Sequence, residues 1–200
     1  THAEKIAQLC GRIGGEVAGL PCVVVHYAEA TREDFSGPNL RAIVITGAGS
    51  PSVAPMLRDL FEVIREGRVP ILGICAGHQH VAKAHGAASD MMRKLREGEK
   101  DPHPAYHPGM FKEWGMLPVT VVRRDPLFDG LPGTLTVQEY HAAEVKTLPG
   151  GFDLLASTPD CRVEAIRRRD RPVYGIQFHA ECYDDAHPDG RRVLQNFFRI

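Results

Sequence analysis

A cysteine flanked by small residues sits where a short apolar run meets a helix-forming segment, in Ile71-Leu72-Gly73-Ile74-Cys75-Ala76-Gly77-His78-Gln79. A strand that turns sharply into a helix lifts the side chain at the elbow above the sheet, as the G-x-S-x-G turn of hydrolases does. At a helix start, free N–H groups and the positive end of the dipole favour the thiolate, the nucleophilic form of the side chain. A free cysteine is otherwise a small buried hydrophobe. A thiolate needs a partner that protonates the departing group, and Tyr174-Gly175-Ile176-Gln177-Phe178-His179-Ala180-Glu181 supplies a histidine and a carboxylate two residues apart. Alternate side chains of a strand point the same way, so a strand end would set His179 and Glu181 on one face. There the carboxylate could orient the imidazole and stabilise its cation. H-x-E by itself is a common pattern, and it gains meaning from Cys75.

The elements that must position these groups follow from periodicity. Residues 3–18 carry Ile6, Leu9, Ile13 and Val17 at helical spacing, with Gly14 and Gly15 weakening the second half. Cys22-Val23-Val24-Val25, Ala42-Ile43-Val44-Ile45 and Pro70-Ile71-Leu72-Gly73-Ile74 are apolar runs of the kind that form buried parallel strands. Helices are expected from about Pro55 to Glu66 and from Ala76 to His85, the second closed by Gly86. Strands alternating with helices predict right-handed βαβ units and a doubly wound, mostly parallel α/β sheet. The second half shortens its elements. Leu117–Val122, Leu135–Val137, Phe152–Ala156, Val163–Ile166 and Val173–Phe178 look like antiparallel edge strands and hairpins before a last helix from about Gly190 to Phe198. Between the halves lies a charged, helix-like piece, Met91 to Glu97, and then a Pro- and His-rich loop from Asp101 to Gly109.

Together, the cysteine elbow and the His-Glu strand end resemble the class I (triad) glutamine amidotransferases. Cys75-Ala76-Gly77-His78-Gln79 is similar to the family's G-x-C-x-G-H-Q elbow, and Gly175-Ile176-Gln177-Phe178-His179-Ala180-Glu181 to its G-V-Q-F-H-P-E segment. The resemblance covers nearly the whole chain. It implies a flavodoxin-like fold, a catalytic triad of Cys75, His179 and Glu181, and hydrolysis of L-glutamine through a glutamyl thioester. It further implies an oxyanion hole at Ala48, Gly49 and Ala76, glutamine binding by Gly47, Gln79, Tyr140 and His141, and a synthetase subunit or domain that receives the ammonia. Phe128-Asp129-Gly130-Leu131-Pro132 and Glu113-Trp114-Gly115 resemble the amidotransferase part of GMP synthase, whereas Tyr140-His141 is closer to anthranilate-synthase-type subunits. There are departures from the family pattern. Ala180 replaces the proline of the H-P-E turn, Ala48 with Ser50-Pro51 alters the oxyanion loop, and the chain opens at Thr1-His2-Ala3-Glu4 inside the family's first helix. The family's first strand is therefore expected to be missing, through an N-terminal truncation.

Composition bounds the alternatives. The 200 residues fit one domain, 1–200, with 87–112 as an insertion that is either a flap or docking surface near the site or a solvated loop. With 43% hydrophobic residues, 24% charged and a net charge of −1, the chain has no general attraction to nucleic acid or an anionic membrane. Its five cysteines, Cys10, Cys22, Cys75, Cys161 and Cys182, form no CxxC pair, which points to a reducing, cytoplasmic setting. No run is long and apolar enough for a membrane span. Neither a metal nor another cofactor is expected: His78 and His80 would leave a helix on different faces, and His103 and His107 sit on a proline-rich loop. Arg167-Arg168-Arg169-Asp170-Arg171 is expected to be a solvated hairpin turn, and Trp114 a packing residue. Two other activities share this scaffold: a γ-glutamyl hydrolase or peptidase that needs no partner, and a catalytically silent binding subunit.

Overall fold

The computed structural model describes residues 8–26, 29–46 and 57–200. Residues 8–18 are helical, with Arg12–Ala18 wound as a π-helix that spans Gly14-Gly15 and ends at Gly19 in the left-handed region, φ 62°. Strand β1 is Ile43–Ile45, helix α1 Leu57–Glu66, strand β2 Ile71–Ile74 and helix α2 Ala76–Ala84. Then follow β3 (Ser89–Met91), β4 (Glu113–Val121), β5 (Thr134–His141), β6 (Ala143–Val145), β7 (Phe152–Ser157), β8 (Ala165–Arg168), β9 (Val173–Ile176) and helix α3 (Asp189–Phe197).

The main sheet has the order β1-β2-β9-β8-β7-β4-β5, and β3 pairs with β6 in a separate two-stranded sheet. The β1–β2 and β2–β9 ladders are parallel, while β9–β8, β8–β7, β7–β4 and β4–β5 are antiparallel. This is an α/β sheet whose parallel side carries the helical crossovers. Val173–Ile176 departs from expectation in one detail: it lies parallel to β2 on one side and antiparallel to β8 on the other, and so joins the two halves.

Both faces of the sheet are covered. Leu60, Val63 and Ile64 of α1 and Val81 and Ala82 of α2 pack with Ile71, Val173 and Phe152 on one face. On the other, Ile13, Val193, Leu194 and Phe197 meet Leu72, Ile74, Tyr174 and Ile176. Alternation along β2 and β9 thus feeds two cores. Each of the wholly buried aliphatic side chains, such as Ile64, Ile71 and Val193, contributes roughly 1.5–3 kcal/mol. Helix α1 buries the i, i+3, i+4 set and exposes Arg58, Asp59 and Arg65. Helix α2 ends as its glycine predicts: the Gly86 N–H donates to Lys83 O and the Ala87 N–H to Ala82 O, with Gly86 at φ 82°.

Two sequence expectations fail. Cys22–Val25 is neither strand nor buried: it is assigned no regular structure and Val23 is 86% exposed. A β-branched run becomes a strand only when a ladder and a covering layer accept it. Met91–Glu97 is not helical either. Its backbone is held by β6 and by a bridge from Lys94 to Met110, and the Arg93 guanidinium donates to both Glu99 oxygens at 2.6 and 2.8 Å. Those pairings override a weak local helical preference. The arginine-rich turn after β8 is solvated as expected at Arg169 and Arg171, whereas Arg167 reaches back to the buried Asp125 carboxylate at 2.9 Å. Among the described residues, no helix is long and apolar enough to cross a membrane.

Candidate active site

The elbow is built by glycines. Gly73 and Gly175 are register partners on adjacent strands and make a trough into which the first turn of α2 settles. A Cβ on Gly73 would lie 2.4 Å from the Gly77 carbonyl oxygen, one on Gly175 would lie 2.4 Å from His78 Nδ1, and one on Gly77 would lie 1.9 Å from Ile45 O. Each distance is shorter than any real Cβ contact, so only glycine lets helix and strands approach this closely. Between them Cys75 takes φ 52° and ψ −106°, a positive φ that a side-chain-bearing residue adopts only under constraint. Its N–H donates to Ile176 O at 2.9 Å and its carbonyl accepts from the Gln79 N–H at 3.1 Å, which fixes the elbow to β9 and to the helix it starts. The half-buried sulfur receives the Gln177 side-chain amide at 3.5 Å.

His179 lies beyond the end of β9 and not on it. Its N–H donates to Gln138 O at 2.8 Å, and it leads into the short 3-10 turn Ala180–Cys182 that carries Glu181. The turn, not strand alternation, brings the two side chains together: His179 Nδ1 is 2.9 Å from Glu181 Oε1. That oxygen also accepts from Thr46 Oγ1 at 3.2 Å, so the carboxylate is oriented from a second strand end. With Nδ1 held by Glu181, Nε2 is left free, and the Cys75 sulfur lies near enough to the imidazole to favour its charged form. Burial works against the charged ring, but Glu181 and the sulfur outweigh it and hold the His179 pKa well above its ordinary value. The ring is therefore kept as a proton donor facing a sulfur.

The other sequence candidates divide. Gly47, Ala48 and Gly49 lie outside the described residues. Ala76 opens α2, and as the first helical residue its N–H has no acceptor within the helix. Gln79 donates through Nε2 to Ala143 O at 3.2 Å and Gln177 Oε1 at 3.3 Å. Tyr140 is 40% exposed and its ring lies 5.7 Å from that of His179. His141 turns inward instead: it is buried, its Nδ1 is 3.1 Å from Ala143 O, and its Nε2 faces carboxylates. His78 is buried and bonded to Val163 O at 2.9 Å, and His103 packs its ring 4.5 Å from that of Trp114.

Four residues at this site were not singled out by sequence reasoning for a role in it. Gln177 is wholly buried and links the sulfur to Gln79; its signal in the sequence was a lone amide within the apolar run Val173–Phe178. Thr46 braces Glu181, with no signal in the sequence. Trp114 and Tyr106 extend the aromatic wall: Trp114 lies 4.9 Å from Tyr140 and 5.9 Å from Tyr106. Burial raises the Tyr106 pKa, and the charge of Cys75 adds to it.

The sequence model of the glutamine amidotransferase class-I family matches residues 13–200. The chain is 34% identical over 168 residues to the glutamine-hydrolysing GMP synthase subunit of Pyrococcus abyssi, covering 84% of this chain and 79% of that one. It is 37% identical over 139 residues to the corresponding subunit of Methanothermobacter thermautotrophicus, covering 70% and 64%. The crystal structure of a Thermoplasma acidophilum protein considered the equivalent GMP synthase subunit superposes with a TM-score of 0.77 at 27% identity, covering 96% of this chain and 86% of that one.

Proposed function

The chain belongs to the class-I glutamine amidotransferase family, and from that premise we propose that it hydrolyses the side-chain amide of L-glutamine at Cys75 and delivers the ammonia to the synthetase partner of a GMP synthase. The Cys75 thiolate attacks the amide carbon. The backbone N–H of Ala76 and, by family resemblance, those of Gly47, Ala48 and Gly49 hold the oxyanion of the tetrahedral intermediate. His179, kept protonated by Glu181, gives its proton to the departing nitrogen. Ammonia leaves, a glutamyl thioester remains, and His179 then accepts a proton from the water that hydrolyses it. Gln79 and the backbone of Tyr140 and His141 hold the amino-acid end of glutamine, while the 87–112 stretch contributes Tyr106 as a flap over the mouth. No cofactor enters this chemistry. The partner, the cytoplasmic setting and the action of residues 1–200 as one glutaminase unit belong to the same reading.

The observation that carries it is a strained cysteine at φ 52° facing a histidine that is itself 2.9 Å from a buried carboxylate. The test is ammonia release from glutamine by the wild type and by Cys75→Ala, alone and with the synthetase subunit of a GMP synthase and its nucleotide substrates. Release that rises with the synthetase and vanishes in the variant is expected. Cleavage of γ-glutamyl peptides without glutamine turnover, or no labelling of Cys75 by a glutamine-like electrophile, would overturn it.

A further inference from the structure

Behind the aromatic wall, the fold gathers ligating side chains that the chemistry above does not use. Glu113 starts β4, Glu139 and His141 end β5, and Cys161 and Glu164 lie between β7 and β8. All five are buried, Cys161, Glu164 and Glu139 completely. One ligand atom from each of Glu113, His141, Cys161 and Glu164 lies within 4.8 Å of every other. His141 Nε2 stands 3.1 Å from Glu113 Oε2, 3.2 Å from Glu139 Oε2 and 3.8 Å from Glu164 Oε1.

Closeness is not satisfaction. Among the described residues, both oxygens of Glu139, both of Glu164, Glu113 Oε2 and His141 Nε2 find no aligned hydrogen-bond partner. An imidazolium would bring a single N–H at Nε2 to this group, too few for five carboxylate oxygens. Burial disfavours a carboxylate unless a proton or a counter-charge meets it. A divalent cation would meet four of these side chains at once.

The surroundings are arranged as a metal site requires. The Nδ1–H of His141 points to Ala143 O at 3.1 Å, which sets the tautomer that leaves the Nε2 lone pair facing the cluster. Thr158 Oγ1 donates to Glu113 Oε1, so the free oxygen of that carboxylate is the one turned inward. A thiol, an imidazole and two carboxylates suit zinc, whereas calcium and magnesium prefer all-oxygen shells. The four ligand atoms lie within 4.8 Å of one another, and tetrahedral zinc would place them about 3.3–3.7 Å apart, so binding draws the widest pairs together by up to about 1–1.5 Å.

We propose that Glu113, His141, Cys161 and Glu164 form a closed, four-coordinate site for a structural divalent cation of the zinc type. On binding, the Cys161 thiol becomes a thiolate bonded to the metal and its proton passes to solvent. The site braces the glutaminase pocket from behind, because Ala143 O receives both His141 Nδ1 and Gln79 Nε2. It stands independently of the glutaminase reading, since metal binding is read without glutamine.

The experiment adds zinc(II), and separately cobalt(II), to metal-stripped full-length protein. Expected are one equivalent of zinc per chain, a rise in Tm that a chelator reverses, and a cobalt spectrum with tetrahedral d–d bands and a sulfur-to-cobalt charge-transfer band. Cys161→Ser abolishes the charge-transfer band, and the milder Thr158→Val weakens zinc binding by about 10–100-fold while retaining the fold. A folded wild type that takes up less than about a tenth of an equivalent, with an octahedral cobalt spectrum, overturns the proposal and leaves a proton-sharing carboxyl–imidazole group in its place.

Discussion

Glu181 touches no substrate in the proposed mechanism, yet the whole proton economy of the site runs through it. It fixes the imidazole through Nδ1 and raises its pKa against the opposing effect of burial. Replacing it by Gln keeps the shape, removes the charge and permits the wrong tautomer. Glu181→Gln is expected to lower kcat by about 10²–10⁴-fold. The basic limb of the pH–rate profile also moves: without the carboxylate His179 loses its proton at lower pH, so activity falls earlier on the alkaline side. Steady-state rates across pH check both effects, and a basic limb that stays in place would contradict the assigned role. The candidate nucleophile and its proposed partners could be picked out from the residues because a cysteine at an elbow and an H-x-E pair are local patterns. Their partners could not: Thr46 and Gln177 reach Glu181 and Cys75 from separate parts of the chain.

At the scale of elements, the glycine trough of β2 and β9 decides where α2 starts, and so where the sulfur stands. Gly77→Ala tests this against helix propensity, which favours alanine by about 1 kcal/mol. The added Cβ would meet the Ile45 carbonyl oxygen at 1.9 Å, and that oxygen belongs to a strand that cannot turn aside. Overpacking of this kind costs typically about 1–3 kcal/mol or more, so the clash prevails. Thermal melting of Gly77→Ala is expected to show a Tm lowered by several degrees, at about 2–4 °C per kcal/mol for a chain of this size, together with loss of glutaminase activity. Unchanged stability would mean the elbow is looser than described. The failures of sequence reading also belong to this scale. Cys22–Val25 has strand-like residues but no ladder, and Met91–Glu97 has helix-forming residues whose charges and backbone are claimed by Glu99, Asp160, β6 and Met110.

Across the whole molecule, two cores on opposite sheet faces hold polar groups that water would otherwise take. His78 is the clearest for global stability. Desolvation pushes its pKa down to about 4, with the bond to Val163 O opposing the shift. In the unfolded chain the ring titrates near 6.5, so between about 6.5 and 4 the unfolded state binds the extra proton. The sign follows: this contribution is complete above the unfolded pKa and is lost as pH falls toward the folded one. At 1.36 kcal/mol per unit, the loss reaches ~3 kcal/mol. Urea unfolding from pH 7 to 4 is expected to show that slope in the wild type and a shallower one in His78→Gln. Equal slopes would remove His78 as the cause.

What the sequence determined by itself was what rests on neighbours along the chain. The apolar runs of β1 and β2, the glycine stop of α2, the elbow around Cys75 and the His179–Glu181 pair all depend on residues within one turn or one strand of each other, where spacing is already geometry. Tertiary structure alone decided what depends on separate segments meeting. It turned His141 inward onto Glu113, Glu139 and Glu164, set Gly73 beside Gly175, and brought Tyr106 from the 87–112 stretch to the ring of Trp114. The physical reason is that such contacts are selected by burial and by pairing in a sheet whose strand order is not the chain order, and no periodicity along the sequence records them.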